Sequence, residues 1–113
     1  MRTIVDAAAA RSRLTGMLAD LDRSIAILRG EGPERDHSAA DAGAGLTARD
    51  RVAAVLESLE RHRAGVAAAL ERIRAGAYGR CVDCGEAVPE GRLEARPDAA
   101  RCITCQARRD RRR

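Results

Sequence analysis

The sequence has no phenylalanine, no tryptophan and no lysine, and Tyr78 is its only aromatic residue. Without large aromatic side chains, 113 residues cannot bury much area, and alanine, the commonest apolar type here, buries little. A large globular core is thereby excluded. Chains in this position rely on a metal, on disulfides or on extended helix packing. No stretch approaches the ~18 apolar residues of a membrane span, and residues 1–14 lack the apolar run of a signal peptide. A soluble, cytoplasmic protein with no membrane partner is expected. In a reducing compartment, paired cysteines serve metals more often than structural disulfides.

All 21 basic residues are arginine, which fits a GC-rich genome as readily as a mechanism. The formal charge of +4 counts the four cysteines as neutral. Four thiolates around one Zn(II) carry −2 together and bring the total from +4 down to +2. The basic balance is therefore a modest pointer to nucleic acid.

What the chain does have is helical periodicity. Leu14, Leu18, Leu21, Ile25 and Leu28 follow a 4-3-4-3 spacing, a heptad seam that Ala7 and Ile4 extend backwards. A helix over about 6–29 is predicted, with Gly30 at its C-terminal cap. Gly16 is the one internal weakness, costing roughly 1 kcal/mol relative to Ala. Residues 30–47 are rich in Gly and hold Pro33, and read as a long loop. Thr47 and Asp50 outline a capping box for a second helix over about 48–75. Its seam runs Val52, Leu56, Leu59, Arg63, Val66, Leu70, Ile73 and Ala77, with Arg63 as the polar member that snorkels or sets register. Two helices of ~24 and ~28 residues span ~36 and ~42 Å. Each has one narrow apolar seam and needs a partner. The fold expected is mainly α: an antiparallel two-helix coiled-coil hairpin over residues 1–77, with its loop at one tip.

Residues 78–113 form the second expected unit. Helical periodicity is lost from Tyr78 to Arg101, and a short final helix follows from Cys102, ending in an arginine-rich tail that should fray. The four cysteines fall in the pattern C-x2-C-x17-C-x2-C: Cys81, Cys84, Cys102 and Cys105. Tetrahedral Zn(II) takes four soft donors at about 2.3 Å, and a two-residue gap lets both thiolates of a pair face one ion. Gly85 stands where a tight turn brings backbone N–H groups toward sulfur. A thioredoxin-type redox site would need one such pair in a βαβ pattern, which is missing. A catalytic zinc would keep a position open, usually with His or carboxylate among its ligands. His37 and His62 have no sequence reason to meet the thiols and read as exposed bystanders. No nucleophile–base pair or phosphate loop is apparent, so an enzyme is not expected; one structural zinc ion is.

The stretch from Leu70 to Gln106 resembles the C4 zinc-finger region of the DksA/TraR family. The shared pieces are Gly76-x-Tyr78-Gly79-x-Cys81, Cys84-Gly85, Arg92-Leu93-Glu94-Ala95, Pro97 and Cys102-x-x-Cys105-Gln106. The resemblance implies a regulator that binds bacterial RNA polymerase and inserts its coiled coil into the secondary channel. Acidic residues at the tip would approach the catalytic centre, a zinc module would fix the helix ends, and the nucleotide ppGpp would act with some members. The family's tip reads Asp-x-x-Asp-x-Ala, its second Asp roughly forty residues before the first zinc cysteine. Asp41 takes that second place here. Ser38 and Gly43 fall on the other two places, and Asp36 offers a carboxylate at a different spacing.

Two other classes remain open on the sequence. The altered tip motivates a zinc-stabilised adaptor that binds some other protein through the hairpin. The run from Arg108 to Arg113 motivates a basic, salt-sensitive contact with nucleic acid. No aromatic side chain lies nearby to stack on bases, which disfavours sequence-specific or single-strand recognition.

Overall fold

The computed structural model describes residues 6–30 and 45–112. Four helices follow one another: α1 over Ala7–Leu28, α2 over Gly45–Arg74, α3 over Glu90–Ala95 and α4 over Ile103–Arg111. α1 and α2 pack side by side as the expected hairpin, and the molecule is long and narrow, 62 × 32 × 20 Å.

Asp6 starts α1 by accepting a hydrogen bond from the Ala9 N–H at 3.0 Å, which satisfies one orphan donor of the first turn. The heptad seam is what gets buried. Leu14 and Val66 are fully enclosed, Leu21, Ile25 and Ala69 are buried, and Leu18, Leu59, Leu70 and Ile73 pack around them. Enclosing a leucine of this kind contributes roughly 1.5–3 kcal/mol. Arg63 neither leaves the seam nor lies idle: its guanidinium bonds the Asp22 carboxylate across the hairpin. Arg29 and Glu60 pair in the same way one stage nearer the tip.

These two pairs sit in the register that the buried seam sets. α2, at 30 residues, outruns α1, at 22. Val52 and Val55 thus lie beyond the end of α1 and stay exposed, although Val52 has seam spacing. Ala7 and Ala77 at the other seam ends are exposed as well. The seam is tightest between its two ends, at Leu14, Val66 and Ala69.

Three details differ from the sequence reading. α2 begins at Gly45, ahead of Thr47, so Thr47 and Asp50 lie inside the helix and the capping box is not formed. The last helix holds its form through Arg111. α3 was not foreseen: Pro89 opens it, its carbonyl accepting from the Arg92 and Leu93 N–H groups at 3.0 and 3.1 Å, and Gly91 hides its periodicity.

α2 ends in a Schellman motif. The Ala77 N–H donates to the Arg72 carbonyl at 2.8 Å and the Gly76 N–H to that of Ile73 at 3.1 Å. Gly76 has φ +75°, a left-handed conformation that a side chain resists. This turn aims the chain from the hairpin into the cysteine segment.

Candidate metal centre

Each cysteine pair is set by its own local device. After Tyr78 the chain forms a small antiparallel bridge between Arg80 and Ala87. The Cys81 N–H donates to the Glu86 carbonyl at 2.7 Å, and the Gly85 N–H returns to the Cys81 carbonyl at 3.0 Å. Gly85, at φ +80°, makes that tight return possible. The second pair sits at a helix start. Cys102 is the N-cap of α4, and its sulfur accepts from the Cys105 N–H at 3.4 Å. The Val82 N–H donates to the Ala100 carbonyl at 2.9 Å, which holds the two pairs together.

The four sulfurs all lie within 4.8 Å of one another. Sulfurs bound tetrahedrally at 2.3 Å stand about 3.8 Å apart. The Cys84 and Cys102 sulfurs are 3.9 Å apart, a ligand separation and not a disulfide. All four cysteines are unbridged, with Cys81 and Cys105 buried.

The electrostatics fit the same cation. Burial disfavours the Cys81 thiolate, but backbone N–H groups of Cys102, Cys84 and Asp83, with the Cys105 thiol, outweigh it and bring its pKa to about 6. Cys105 goes the other way. Hydrogen bonding with Cys102, then burial and the Cys81 and Cys84 sulfurs, push it up to about 12. At Cys84 the Glu86 N–H favours the thiolate, yet burial and the neighbouring sulfurs carry the net shift upward. One thiolate forms readily, and its neighbours then resist ionising. A divalent cation relieves that conflict and draws off the remaining protons. The four cysteines are positioned to bind one metal ion, and four thiolates leave no coordination position open.

A set of bonds seats this centre on the hairpin. Arg13 on α1 donates to the Glu94 carbonyl at 3.0 Å, Arg72 on α2 to that of Ala99 at 3.4 Å, and the Tyr78 hydroxyl to that of Pro97 at 2.8 Å. Three side chains thus hold one stretch, residues 94–99, which runs from α3 toward Cys102. Burial makes the Arg72 cation less favourable, partly offset by Tyr78 and Asp98. Burial likewise raises the Tyr78 hydroxyl pKa. Asp98, with its side chain only 9% exposed, sits between His62 at 3.7 Å and Arg96 at 3.8 Å. Gly65 on α2 lies beside it: a Cβ there would stand in ordinary contact, 3.7 Å from the Asp98 carboxylate. Tyr78 packs against both the hairpin core and the cluster of Cys81, Val88, Leu93 and Cys105.

The metal residues singled out from sequence are therefore brought together. The proposed tip residues Asp41 and Asp36 lie outside the described residues, as do His37, Ser38 and Gly43. His62 is exposed as expected but is not an idle bystander, since it faces Asp98. Sequence reasoning did not single out Arg13, Arg72 or Asp98. Nothing local marks them, because their partners are 27 to 81 residues away or on another element. Among the described residues, no helix is long and apolar enough to cross a membrane.

Comparison with known proteins returns one consistent picture. Residues 76–111 match the family profile described as the prokaryotic dksA/traR C4-type zinc finger. The chain is 34% identical over 79 residues to the RNA polymerase-binding transcription factor DksA of Caulobacter vibrioides, a match covering 70% of this chain and 51% of that protein. It spans about half the length of the curated relatives it matches. Among solved structures, transcription factor DksA2 from Pseudomonas aeruginosa superposes with a TM-score of 0.76 at 30% identity, covering 94% of this chain and 84% of that one. The DnaK suppressor protein from Agrobacterium tumefaciens C58 superposes with a TM-score of 0.64 at 25% identity, over 95% and 96% of the two chains.

Proposed function

Because the chain belongs to the DksA/TraR family, we propose that it is a transcription regulator that binds bacterial RNA polymerase in the cytoplasm and has no catalytic activity of its own. The likeness to DksA2 carries this reading, since it extends over 94% of the chain and so includes the hairpin as well as the cysteines. Cys81, Cys84, Cys102 and Cys105 hold one structural Zn(II). The unit over residues 78–113 then fixes the direction in which the unit over 1–77 leaves it. The hairpin enters the secondary channel, and Asp41, with Asp36, brings negative charge toward the catalytic centre. ppGpp, where it acts, binds at the interface shared with polymerase.

The test is binding to purified RNA polymerase together with initiation assays. Micromolar association and an altered open-complex lifetime are expected, both weakened in an Asp41→Ala variant. Absence of binding at micromolar protein would sink the reading. Parallel titrations with ppGpp would show whether the nucleotide tightens the complex.

The tip motivates a second reading. Of the three positions in the family's tip motif, only Asp41 keeps its residue, while Ser38 and Gly43 do not. A zinc-stabilised adaptor would keep the fold and engage another protein. Polymerase regulation unchanged by Asp41→Ala would remove the acidic tip from the mechanism. Capture of a different partner, with no polymerase bound, would favour the adaptor.

A further inference from the structure

A hollow of about 190 Å³ lies between the first turns of α1 and the face of α3, away from the cysteines. Its apolar lining is made by Ala9 and Ala10 on one side and by Leu93, Pro97 and Tyr78 on the other. Its lips are acidic. Asp6, whose carboxylate also caps α1 through the Ala9 N–H, stands on the α1 side, and Glu90 and Glu94, one helical turn apart, stand on the α3 side. Arg13 also lines it, its guanidinium held on the Glu94 backbone carbonyl; its charge offsets one of the three carboxylates and leaves the rim with two negative charges in excess.

None of these three carboxylates has a basic partner within 4 Å among the described residues. Asp50, Glu57, Glu86 and Asp110 share that lack among the described residues; what sets the three apart is that they converge over an apolar surface. Elsewhere Asp20, Asp22, Glu60, Glu71, Asp83 and Asp98 each have a basic partner.

Size, lining and rim together select an occupant. Pockets for drug-sized ligands and cofactors begin at ~300 Å³, so this hollow takes one side chain and not a cofactor. An apolar lining under an anionic rim matches an amphipathic cation, which lays its methylene stem on apolar surface and keeps its charged head among polar groups. We propose that the hollow between α1 and α3 is a docking site for a peptide segment of a partner protein, seating one arginine or lysine side chain flanked by aliphatic residues. The site does not depend on the identity of that partner and is separate from the tip.

The experiment is a ¹⁵N NMR titration of the full zinc-loaded chain with acetyl-Leu-Arg-Leu-amide. Saturable shifts are expected at the amides of Ala9, Ala10 and Glu94. The matching Leu-Gln-Leu peptide should leave them in place. A Glu90→Gln, Glu94→Gln double variant keeps the carbonyl that Arg13 holds, and should bind roughly three- to tenfold more weakly, as loss of two partly exposed charge pairs implies. Equal shifts with both peptides, or shifts spread over all surface acids, would overturn the proposal. Equal shifts with spermidine at the same concentration would reduce the hollow to a general cation site and overturn peptide docking. Groove shifts on concentrating the protein alone would assign it to a second copy. Groove shifts caused by Arg2→Ala without peptide would assign it to the chain's own N-terminal residues.

Discussion

Along the hairpin, burial comes from repetition: Leu14, Leu21, Ile25 and Val66 recur on one face of each helix and enclose one another. Around the cysteines there is hardly anything to repeat. Among the described residues, Val88 and Leu93 are the aliphatic side chains of the buried cluster there, and they pack against Cys81 and Cys105 themselves. The first region is ordered by many small apolar contacts spread over its length. The second is ordered by backbone turns, by carbonyls held from the hairpin and by four convergent sulfurs. A chain short of large side chains can build a long helix pair, whose core is only one seam wide. It cannot build a compact module of some thirty residues without a metal.

The contrast breaks most sharply on metal removal. Chelation, or Cys102→Ser, should unfold residues 78–112 while α1 and α2 keep most of their helical signal. Zinc–peptide affinities put the loss on the order of 10 kcal/mol. Amide spectra recorded with and without chelator check this region by region. Simultaneous loss of both regions would mean that they form one cooperative unit.

The reverse perturbation is Leu14→Ala. It empties a fully enclosed seam position and should cost about 2–5 kcal/mol in urea unfolding, with the metal still bound at moderate denaturant. Metal released at the same urea concentration as the helices melt would contradict the separation.

Tyr78→Phe probes the joint. It keeps the ring between the two cores and removes only the hydroxyl bond to Pro97, so about 0.5–1.5 kcal/mol is expected. Amide shifts should centre on residues 94–99; unchanged shifts there would show that the bond does not hold the stretch.

The smallest effect should come from Asp22→Asn. Hydrogen bonding to Arg63 holds the Asp22 carboxyl below its ordinary value of 3.8. Its contribution is therefore complete above that value and is lost as pH falls through the depressed folded-state value. The melting temperatures of wild type and variant should differ slightly at neutral pH and converge in strong acid. A difference that grows on acidification would refute the pairing.

Legibility followed the same division. The middle of the seam, from Leu14 to Ile25 and at Val66, could be named from spacing alone, because a heptad repeat is local and helical geometry turns it directly into a face; the enclosed Ala69 could not. The sulfur cluster was equally readable, since two x2 gaps and one spacer suffice for a tetrahedron. What escaped was whatever depends on register or on distant partners. Val52 has seam spacing but lies past the end of α1, with no α1 residue opposite it. Thr47 has a capping pattern, yet α2 begins upstream of it. α3 is a single turn and a half, too short for periodicity to show.

From the sequence by itself came two helices in need of each other, and four thiols in need of a cation. Those follow from local spacing, because helix geometry and metal coordination act over a few residues. Only the tertiary structure decided how the two parts meet: Arg13, Arg72 and Tyr78 on one stretch of carbonyls, and Asp98 lodged against His62 and Gly65. Those contacts join residues far apart in the chain. They become visible only once packing has chosen the register and the Gly76 turn has chosen the direction.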